Sequence, residues 1–367
     1  MTKPRARDLG IPFDGTPGPL NAITDVVGVE VGHVTLISGE GRLETGKGPV
    51  RTGVTAVLPR GKGDLSRVFA AWFPLNGNGE LTGAAWLEES GGLAGPVLLT
   101  NTESVGVVRD AAIAWRLRRG GTGPDFSGDV SLPVVSETWD GFLNDIHGFH
   151  VKPEHAWGAL DGACGGPVPE GSVGGGTGMI CHRFKAGIGT ASRRVRIDGA
   201  DRTVGVLVQA NYGTRESLRI AGVPVGREIA DLRPERRKSP PSEADQGSIV
   251  GIVATDAPLL PHQLKRLAKR APLGLARMGG TGGNGSGDLF LAFSTANPEA
   301  VKTAGTASLT MLPNDRLNAL FDAVVESTEE AIANALVAAE DMTGIDGNRA
   351  YAIPHGRLRE AMRKFGR

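Results

Sequence analysis

The sequence predicts an α/β protein in which helices cover the faces of packed sheets. Glycine accounts for 55 of the 367 residues, about twice its average usage. These glycines separate short apolar runs, which is typical of many strands joined by tight turns. Strand and helix patterns recur on both sides of a polar segment at 233–247. We therefore expect one domain over 1–367, with 233–247 as an exposed linker inside it.

Short apolar runs bounded by turn residues predict the strands. The runs are 53–58, 95–100, 204–209, 248–256 and 288–293.

Three segments carry helical patterns. Residues 102–119 begin at capping residues and end in a basic turn before two glycines. Residues 261–270 begin at a proline and are closed by Pro272. Residues 315–342 have apolar side chains at a spacing of three and four, with acidic residues on the other face.

Composition excludes several classes of function. Forty basic and 40 acidic residues give a formal net charge of zero, and no basic patch predicts a nucleic-acid partner. No stretch approaches the length of a membrane span, and no apolar segment follows the basic N-terminus. Cys164 and Cys181 have no zinc spacing and suit a reducing compartment. We expect a cytoplasmic protein without a cofactor, or a periplasmic one if a signal peptide has been removed.

The junction of Gly247 and Ser248 joins the polar segment to a buried strand. A serine that heads a rigid strand after an exposed loop is placed as the nucleophile of a self-cleaving hydrolase would be. Cleavage there would leave a hydroxyl and an α-amine on one residue. That amine has a pKa of about 7.7–8.0 and can act as a base near neutral pH. The alternative is that the pair simply ends a loop.

Two glycine-rich segments are candidates for chemistry. Residues 171–179 suggest a phosphate cradle but lack both the P-loop ending and the dinucleotide-binding spacing, so a tight turn beside an active site is the alternative. Residues 278–288 run into a strand, where Ser286 and Asp288 would share a face. They either polarise another hydroxyl or belong to a glycine-rich turn.

Acidic residues cluster at 136–145, where Glu137, Asp140 and Asp145 surround Trp139 and suit an amine cation. A solvated turn is the other interpretation. Asn211 ends an apolar strand, where its amide either stabilises an oxyanion or only ends the strand. Three nearby histidines lack the spacing of a metal site, and we expect no metal; they are His147, His150 and His155.

Together these segments resemble the DmpA-type aminopeptidases, also called β-peptidyl aminopeptidases or the L-aminopeptidase/D-amidase/D-esterase group. The resemblance covers nearly the whole chain. Its motifs are NAITDVVGVEVGH (21–33), GVTAVLPR (53–60), LTG (81–83), EESGGLAGPVLLTNT (88–102), ETWDG (137–141), GGGTGM (174–179), GIGTASR (187–193), NYG (211–213), GSIV (247–250) and GSGD (285–288).

The resemblance implies a four-layer α/β/β/α sandwich, like that of N-terminal nucleophile hydrolases but with different strand connectivity. It implies self-cleavage between Gly247 and Ser248 into an α fragment, 1–247, and a β fragment, 248–367. Ser248 would be the nucleophile and its own amine the base. Ser286 would hydrogen-bond the nucleophile with support from Asp288. The remaining implied roles are the oxyanion contact for Asn211 and the substrate ammonium for Glu137, with Trp139 in the amine pocket.

Two positions depart from some relatives, which carry glutamate where this chain has Asp288 and tyrosine where it has Trp139. The shorter acid changes the reach of Asp288, and the indole reshapes the amine pocket. The resemblance further implies small peptide, amide or ester substrates with a free N-terminal amine, and a homo-oligomer, a tetramer of cleaved pairs. It leaves open whether L-, D- or β-residues are released.

Two alternatives remain from the sequence. A same-fold acyltransferase of the ornithine acetyltransferase type also cleaves itself, but it exposes a threonine. The serine at 248 and the segment 137–141 argue against it. A non-catalytic protein that binds a nucleotide on its glycine loops is the other alternative.

Overall fold

The structure is a computed structural model, and it describes residues 3–119, 132–236, 247–301 and 304–367. Its strands are β1 Glu30–Ser38, β2 Val50–Leu58, β3 Val68–Pro74, β4 Gly92–Leu93, β5 Val97–Asn101, β6 Val134–Thr138, β7 Ile180–Cys181, β8 Phe184–Lys185, β9 Ile188–Ile197, β10 Ala200–Asn211, β11 Ser248–Thr255, β12 Gly287–Ser294, β13 Met342–Thr343 and β14 Arg349–Ala350. Its α-helices are α1 Ala84–Ser90, α2 Val105–Arg118, α3 Pro153–Asp161, α4 Val225–Glu228, α5 Pro261–Ala268, α6 Ala271–Arg277, α7 Asn318–Val337 and α8 His355–Lys364.

Two sheets organise the described part of the chain. The larger has six strands in the order β4-β3-β12-β11-β10-β9. The smaller has four strands in the order β1-β2-β5-β6. Neighbouring strands are antiparallel except for β11 with β12 and β5 with β6, which are parallel. The strand that opens at Ser248 therefore lies in the middle of the larger sheet.

Three apolar layers separate the sheets and helices. Leu99 of the smaller sheet and Leu207 and Ile252 of the larger belong to one buried cluster between the sheets. A second cluster joins the outer face of the smaller sheet to α2 and α3, and a third joins the outer face of the larger sheet to α5, α6 and α7. The order helix, sheet, sheet, helix confirms the predicted four-layer sandwich.

The predicted helices are present, but their ends differ. The first begins as a 3-10 turn at Thr102–Ser104, with no side-chain capping hydrogen bond. Pro272 does not close a helix; α5 ends at Ala268, and Pro272 occupies the first turn of α6. Proline suits that turn, because the first helical N–H groups have no intrahelical acceptor.

The long helix α7 is shorter and more deeply buried than the pattern predicts. It ends at Val337, and Met342 instead pairs with Ala350 in a two-stranded sheet. Its acidic face is covered, because Glu330 is fully buried and accepts hydrogen bonds from Arg7 and Arg193. The N-terminal segment supplies Arg7, which shows that α7 is covered on this side too. Buried carboxylates require such partners.

Most of the predicted linker, 237–246, lies outside the described residues. Before that gap, Glu235 exchanges backbone hydrogen bonds with Arg349, at 2.8 and 3.0 Å between nitrogen and oxygen. Among the described residues, every helix is too short or too polar to cross a membrane.

Candidate active site

Ser248 lies where three strands of the larger sheet begin or end together. Its backbone pairs with Asn211, the last residue of β10, and with Gly287, the first residue of β12. Its exposed fraction is only 5%. The antiparallel neighbour on one side and the parallel neighbour on the other bring three segments distant in sequence to one point.

Strand alternation decides which way each side chain faces. Val250 belongs to the cluster between the two sheets and Ile249 to the cluster under the helices. Ser248 therefore faces the inter-sheet side, as does its register partner Asn211. Asp288 is paired with Ile249 and faces the helix side. The hydroxyl of Ser248 and the carboxylate of Asp288 are thus on opposite faces of the sheet.

Ser286 and Asp288 form a buried pair at the start of β12. The Ser286 hydroxyl donates to Asp288 Oδ1 at 2.7 Å, and both residues are at most 2% exposed. The Ser286 N–H donates to the Gly283 carbonyl at 2.9 Å, which closes the turn before the strand. The predicted common face of the two side chains is therefore present, and the turn holds Ser286 in place.

Asn211 is held by backbone groups on both sides of its amide. Its Nδ2 donates to the Trp139 carbonyl at 2.9 Å, and its Oδ1 accepts from the Ile180 N–H at 2.9 Å. Since a carboxamide carries two N–H groups, the contact with Trp139 uses one of them. The amide therefore has a fixed orientation beside Ser248.

Glu137, the last residue but one of β6, carries a buried carboxylate and is 3% exposed. It accepts hydrogen bonds from the Glu80 N–H, at 3.0 Å, and from the Thr102 hydroxyl. Burial raises the pKa of Glu137 above its ordinary value, the two hydrogen bonds oppose that rise, and the nearby Glu80 charge adds to it. Ionised, this carboxylate attracts a cation strongly because few waters screen it.

Gly79 places Glu137 next to the start of β12. A Cβ atom on Gly79 would lie 3.5 Å from Glu137 Oε1 and 3.3 Å from the Gly287 Cα. Gly287 is the register partner of Ser248. The carboxylate and the strand start therefore face the same narrow space.

Trp139 follows Glu137 by two residues, with 46% of its surface exposed. Its ring covers the backbone of Gly141, where a Cβ atom would lie 2.5 Å from the indole Cζ2. Only glycine at 141 leaves room for this ring position. A large exposed aromatic beside a buried carboxylate is a suitable wall for an amine pocket.

Two of the three acids predicted around Trp139 do not face the site. Asp140 is fully buried, and its carboxylate accepts hydrogen bonds from the amides of Asn101 and Asn144. Burial raises its pKa to about 6. Asp145 accepts from the Gly46 N–H and from His150. These acids hold loops in place, which the sequence spacing alone could not distinguish from cation binding.

The middle of the glycine-rich segment 171–179 is buried between the two sheets. Gly174, Gly175 and Gly176 are buried. A Cβ atom on Gly175 would lie 2.2 Å from Gln209 Oε1 and 2.7 Å from the Leu99 carbonyl oxygen. These glycines permit close approach of backbones, so the segment does not support a nucleotide-binding protein.

We expect Gly175→Ala to lower the free energy of unfolding by about 1–3 kcal/mol, because its added methyl overfills a packed interior. Denaturant unfolding of the two proteins measures the difference. Gly106→Ala is the matched control, since a Cβ on Gly106 meets nothing within 4 Å. In helix α2 it should raise stability by about 0.5–1 kcal/mol. Equal losses in both variants would contradict this packing argument.

Several residues of the site escaped the sequence analysis. Asn76, in the turn after β3, accepts from the Asp288 N–H at 2.7 Å and donates to the Gly283 carbonyl at 3.1 Å. Asn78 donates to the Gly285 carbonyl at 2.8 Å. The Thr102 hydroxyl, predicted to cap a helix, instead contacts Glu137. The Asn-Gly-Asn-Gly pattern at 76–79 signals a turn, but not which strand the turn contacts.

The predicted histidines make pairwise contacts. His147 lies 2.7 Å from a Glu103 carboxylate oxygen, and His150 lies 2.8 Å from Asp145. Within the described ranges, no group of three or more His, Cys, Asp or Glu side chains is arranged to hold a metal ion.

Two facing sheets between helical layers, with a serine first in a central strand, define the class: a variant of the N-terminal nucleophile hydrolase fold. The model of peptidase family S58 matches residues 21–350, and the chain belongs to that family. It is an enzyme, a serine aminopeptidase or amidase.

Individual relatives agree over the whole chain. "Beta-peptidyl aminopeptidase BapA" of Sphingosinicella microcystinivorans is 56% identical over 99% of this chain and 93% of its own length. The solved L-aminopeptidase D-Ala-esterase/amidase of Ochrobactrum anthropi, described as a prototype for the serine aminopeptidases and a new variant among the Ntn hydrolase fold, is 48% identical. It covers 100% of this chain and 99% of its own, with a TM-score of 0.91. A Burkholderia sp. β-aminopeptidase is 49% identical over 99% of both chains, with a TM-score of 0.88.

Proposed function

We propose that the enzyme releases N-terminal residues from small peptides, amides or esters through an acyl-enzyme on Ser248, after cutting its own chain at Gly247-Ser248. One observation carries this proposal: Ser248 opens the central strand between Asn211 and Gly287. That position gives the serine a rigid backbone, an amide donor beside its side chain, and the hydroxyl–carboxylate pair of Ser286 and Asp288 near its N-terminal end.

The geometry at Gly247 supports self-cleavage. The Gly287 N–H donates to the Gly247 carbonyl oxygen at 3.2 Å, and so polarises the carbonyl that would be attacked. Attack by the Ser248 hydroxyl forms an ester as the Gly247–Ser248 C–N bond breaks and the nitrogen takes up a proton. Water then hydrolyses the ester, leaving a carboxylate on Gly247 and restoring the hydroxyl of Ser248 beside its new amine.

Catalysis on a substrate then reuses the same groups. The neutral α-amine takes the hydroxyl proton as Ser248 Oγ attacks the substrate carbonyl, and the resulting ammonium passes that proton to the leaving amine. Once Gly247 has left, the Gly287 N–H is available for the substrate oxygen. The second N–H of Asn211 is the other donor we assign to the oxyanion. Water clears the acyl-enzyme by the same proton route.

We assign Ser286 and Asp288 to the amine of Ser248. Their side chains occupy the face of the sheet opposite the Ser248 hydroxyl. We therefore infer that they approach the backbone nitrogen of Ser248, at the N-terminal end of β11. A carboxylate there favours the protonated amine and raises its pKa. This refines the predicted role of Ser286, which becomes a contact to the amine end of the nucleophile.

We assign Glu137 to the substrate's free ammonium and Trp139 to the wall of that pocket. A nearly fully buried carboxylate binds a charged amine favourably, whereas a substrate with a blocked amine leaves that carboxylate unpaired. The relatives named as β-peptidyl aminopeptidase and β-aminopeptidase support release of β-residues, and the L-aminopeptidase D-Ala-esterase/amidase of Ochrobactrum anthropi supports release of L-residues and D-Ala. A panel of p-nitroanilides of the three residue types distinguishes these preferences.

A denaturing gel of the purified protein tests self-cleavage directly. We expect two bands, corresponding to 1–247 and 248–367, and N-terminal sequencing of the smaller that begins Ser-Ile-Val-Gly. A single band that persists through long incubation would overturn the proposal. We also propose a cytoplasmic location and a tetramer of cleaved pairs, which fractionation and light scattering test.

A further inference from the structure

The turn after β3 hydrogen-bonds both Asp288 and the glycine-rich turn that carries Ser286. The ladder between β3 and β12 ends where Pro74 faces Leu289, and the Asp288 carbonyl accepts from the Leu75 N–H at 2.9 Å. The Asp288 N–H lies on this same edge. Strand β3 has ended at this point, so it supplies no acceptor for the Asp288 N–H. The side-chain oxygen of Asn76 accepts from that N–H instead, at 2.7 Å.

The other end of the Asn76 amide holds the turn that carries Ser286. Its Nδ2 donates to the Gly283 carbonyl at 3.1 Å, the same oxygen that accepts from the Ser286 N–H. One rigid carboxamide therefore spans the backbone on both sides of Ser286. Asp288 and Ser286 are joined to each other through their side chains, so these two residues, Asn76 and Gly283 form a closed set of hydrogen bonds.

We propose that Asn76 is a positioning residue for catalysis, which sets where the Ser286–Asp288 pair stands relative to the Ser248 amine. This inference rests on the proposed function of that pair. Asn76 acts on the backbone and not on substrate. Its loss lets the start of β12 shift, and a misplacement of about 1 Å at a reacting group costs on the order of 100-fold in rate.

Two substitutions at 76 have opposite expected effects on the pH profile. Asn76→Ala removes both hydrogen bonds, so Asp288 withdraws from the amine. We expect kcat to fall about 10- to 100-fold with KM within about twofold. The acid limb of kcat/KM should move to lower pH, because a less well placed carboxylate favours the ammonium less. Asn76→Asp keeps an acceptor for the Asp288 N–H and adds a negative charge, so its acid limb should move to higher pH.

A double-mutant cycle separates positioning from general damage. In a Ser286→Ala background, Asn76→Ala should cost less further activity than it does in the wild type, since one member of the pair that Asn76 positions is gone. Asn297→Ala is the matched control: Asn297 also accepts from and donates to backbone, on Thr310, beyond the opposite end of β12. It should lower thermal stability and leave the pH profile unchanged.

The results discriminate clearly. Wild-type kinetics in Asn76→Ala would overturn the positioning role and leave the proposed function standing. The same follows if Asn76→Ala lowers kcat as much in the Ser286→Ala background as in the wild type and does not shift the acid limb of kcat/KM. Wild-type activity in Ser286→Ala overturns the proposed role of the pair, and this inference with it. If Asn76→Ala fails to fold, the test rests on Asn76→Asp, for which the acid limb of kcat/KM should move to higher pH.

Discussion

Ser248→Ala should yield a single uncut chain with no amidase activity. The substitution removes the hydroxyl that we propose attacks both the Gly247 carbonyl and the substrate, and without cleavage no α-amine would be released to serve as base. Loss of the nucleophile in a hydrolase costs on the order of a millionfold in kcat. A denaturing gel and an aminoacyl p-nitroanilide assay measure the two effects on one sample.

The matched control for this variant is Ser327→Ala. Ser327 is fully buried in α7, and its hydroxyl has no hydrogen-bond partner among the residues that the structure describes. Its removal should leave cleavage, activity and fold in place, because no buried partner becomes unsatisfied. Persistent turnover of the aminoacyl p-nitroanilide by Ser248→Ala would contradict the assignment of Ser248 as the nucleophile. An uncut but active chain would show that another group performs the chemistry.

Glu137→Gln should lower kcat/KM for substrates with a free N-terminal amine by about 100- to 1000-fold, or roughly 3–4 kcal/mol. The neutral amide keeps the size of the side chain but loses the charge that we assign to the substrate ammonium. An N-acetylated substrate, which carries no ammonium, should be a poor substrate of both proteins. Steady-state kinetics on the free and acetylated forms measures this.

The same carboxylate predicts a pH dependence. Burial raises the pKa of Glu137, so as pH falls this group takes up a proton earlier than an ordinary glutamate. The attraction for the substrate ammonium is present above that raised pKa and is lost below it. The wild-type enzyme should therefore show a rise in KM on the acid side that Glu137→Gln lacks.

Glu103→Gln is the control for charge alone, since Glu103 is a neighbouring carboxylate whose partner is His147. It should leave kcat/KM within about twofold. An equal loss in both variants would indicate a general field effect and not a specific pocket. Efficient cleavage of the acetylated substrate would contradict the role of Glu137.

The strands were the most predictable part of the fold. Short apolar runs between glycines and prolines marked 53–58, 248–256 and 288–293, all of which lie in observed strands apart from the last residue of the second. This works because a fully buried strand needs a local run of apolar side chains. Helix ends were less predictable. A proline such as Pro272 is compatible both with a helix that ends before it and with a helix that has it in the first turn, as α6 does.

The candidate site was predictable only in part. The segment 136–145 offered three acids of the same kind at similar spacing. Only burial and hydrogen-bond partners separate Glu137, which faces the start of β12, from Asp140, which two asparagine amides hold. The sequence placed Gly175 in a candidate ligand-binding loop. In the structure a side chain at 175 is excluded by the backbone carbonyl of Leu99, in the distant strand β5.

The sequence by itself determined the strand that begins at Ser248, the glycine content that lets backbones meet closely, and the ordered motifs that carry the family resemblance. These are local properties of the chain. Only the tertiary structure decided that Asn211 and Gly287 flank Ser248, that Asp288 faces the opposite side, and that Asn76 hydrogen-bonds the backbone of Asp288 and Gly283. The physical reason is register: which residues stand opposite one another depends on how segments up to some two hundred residues apart pair, and a slip of one residue would turn every side chain to the other face.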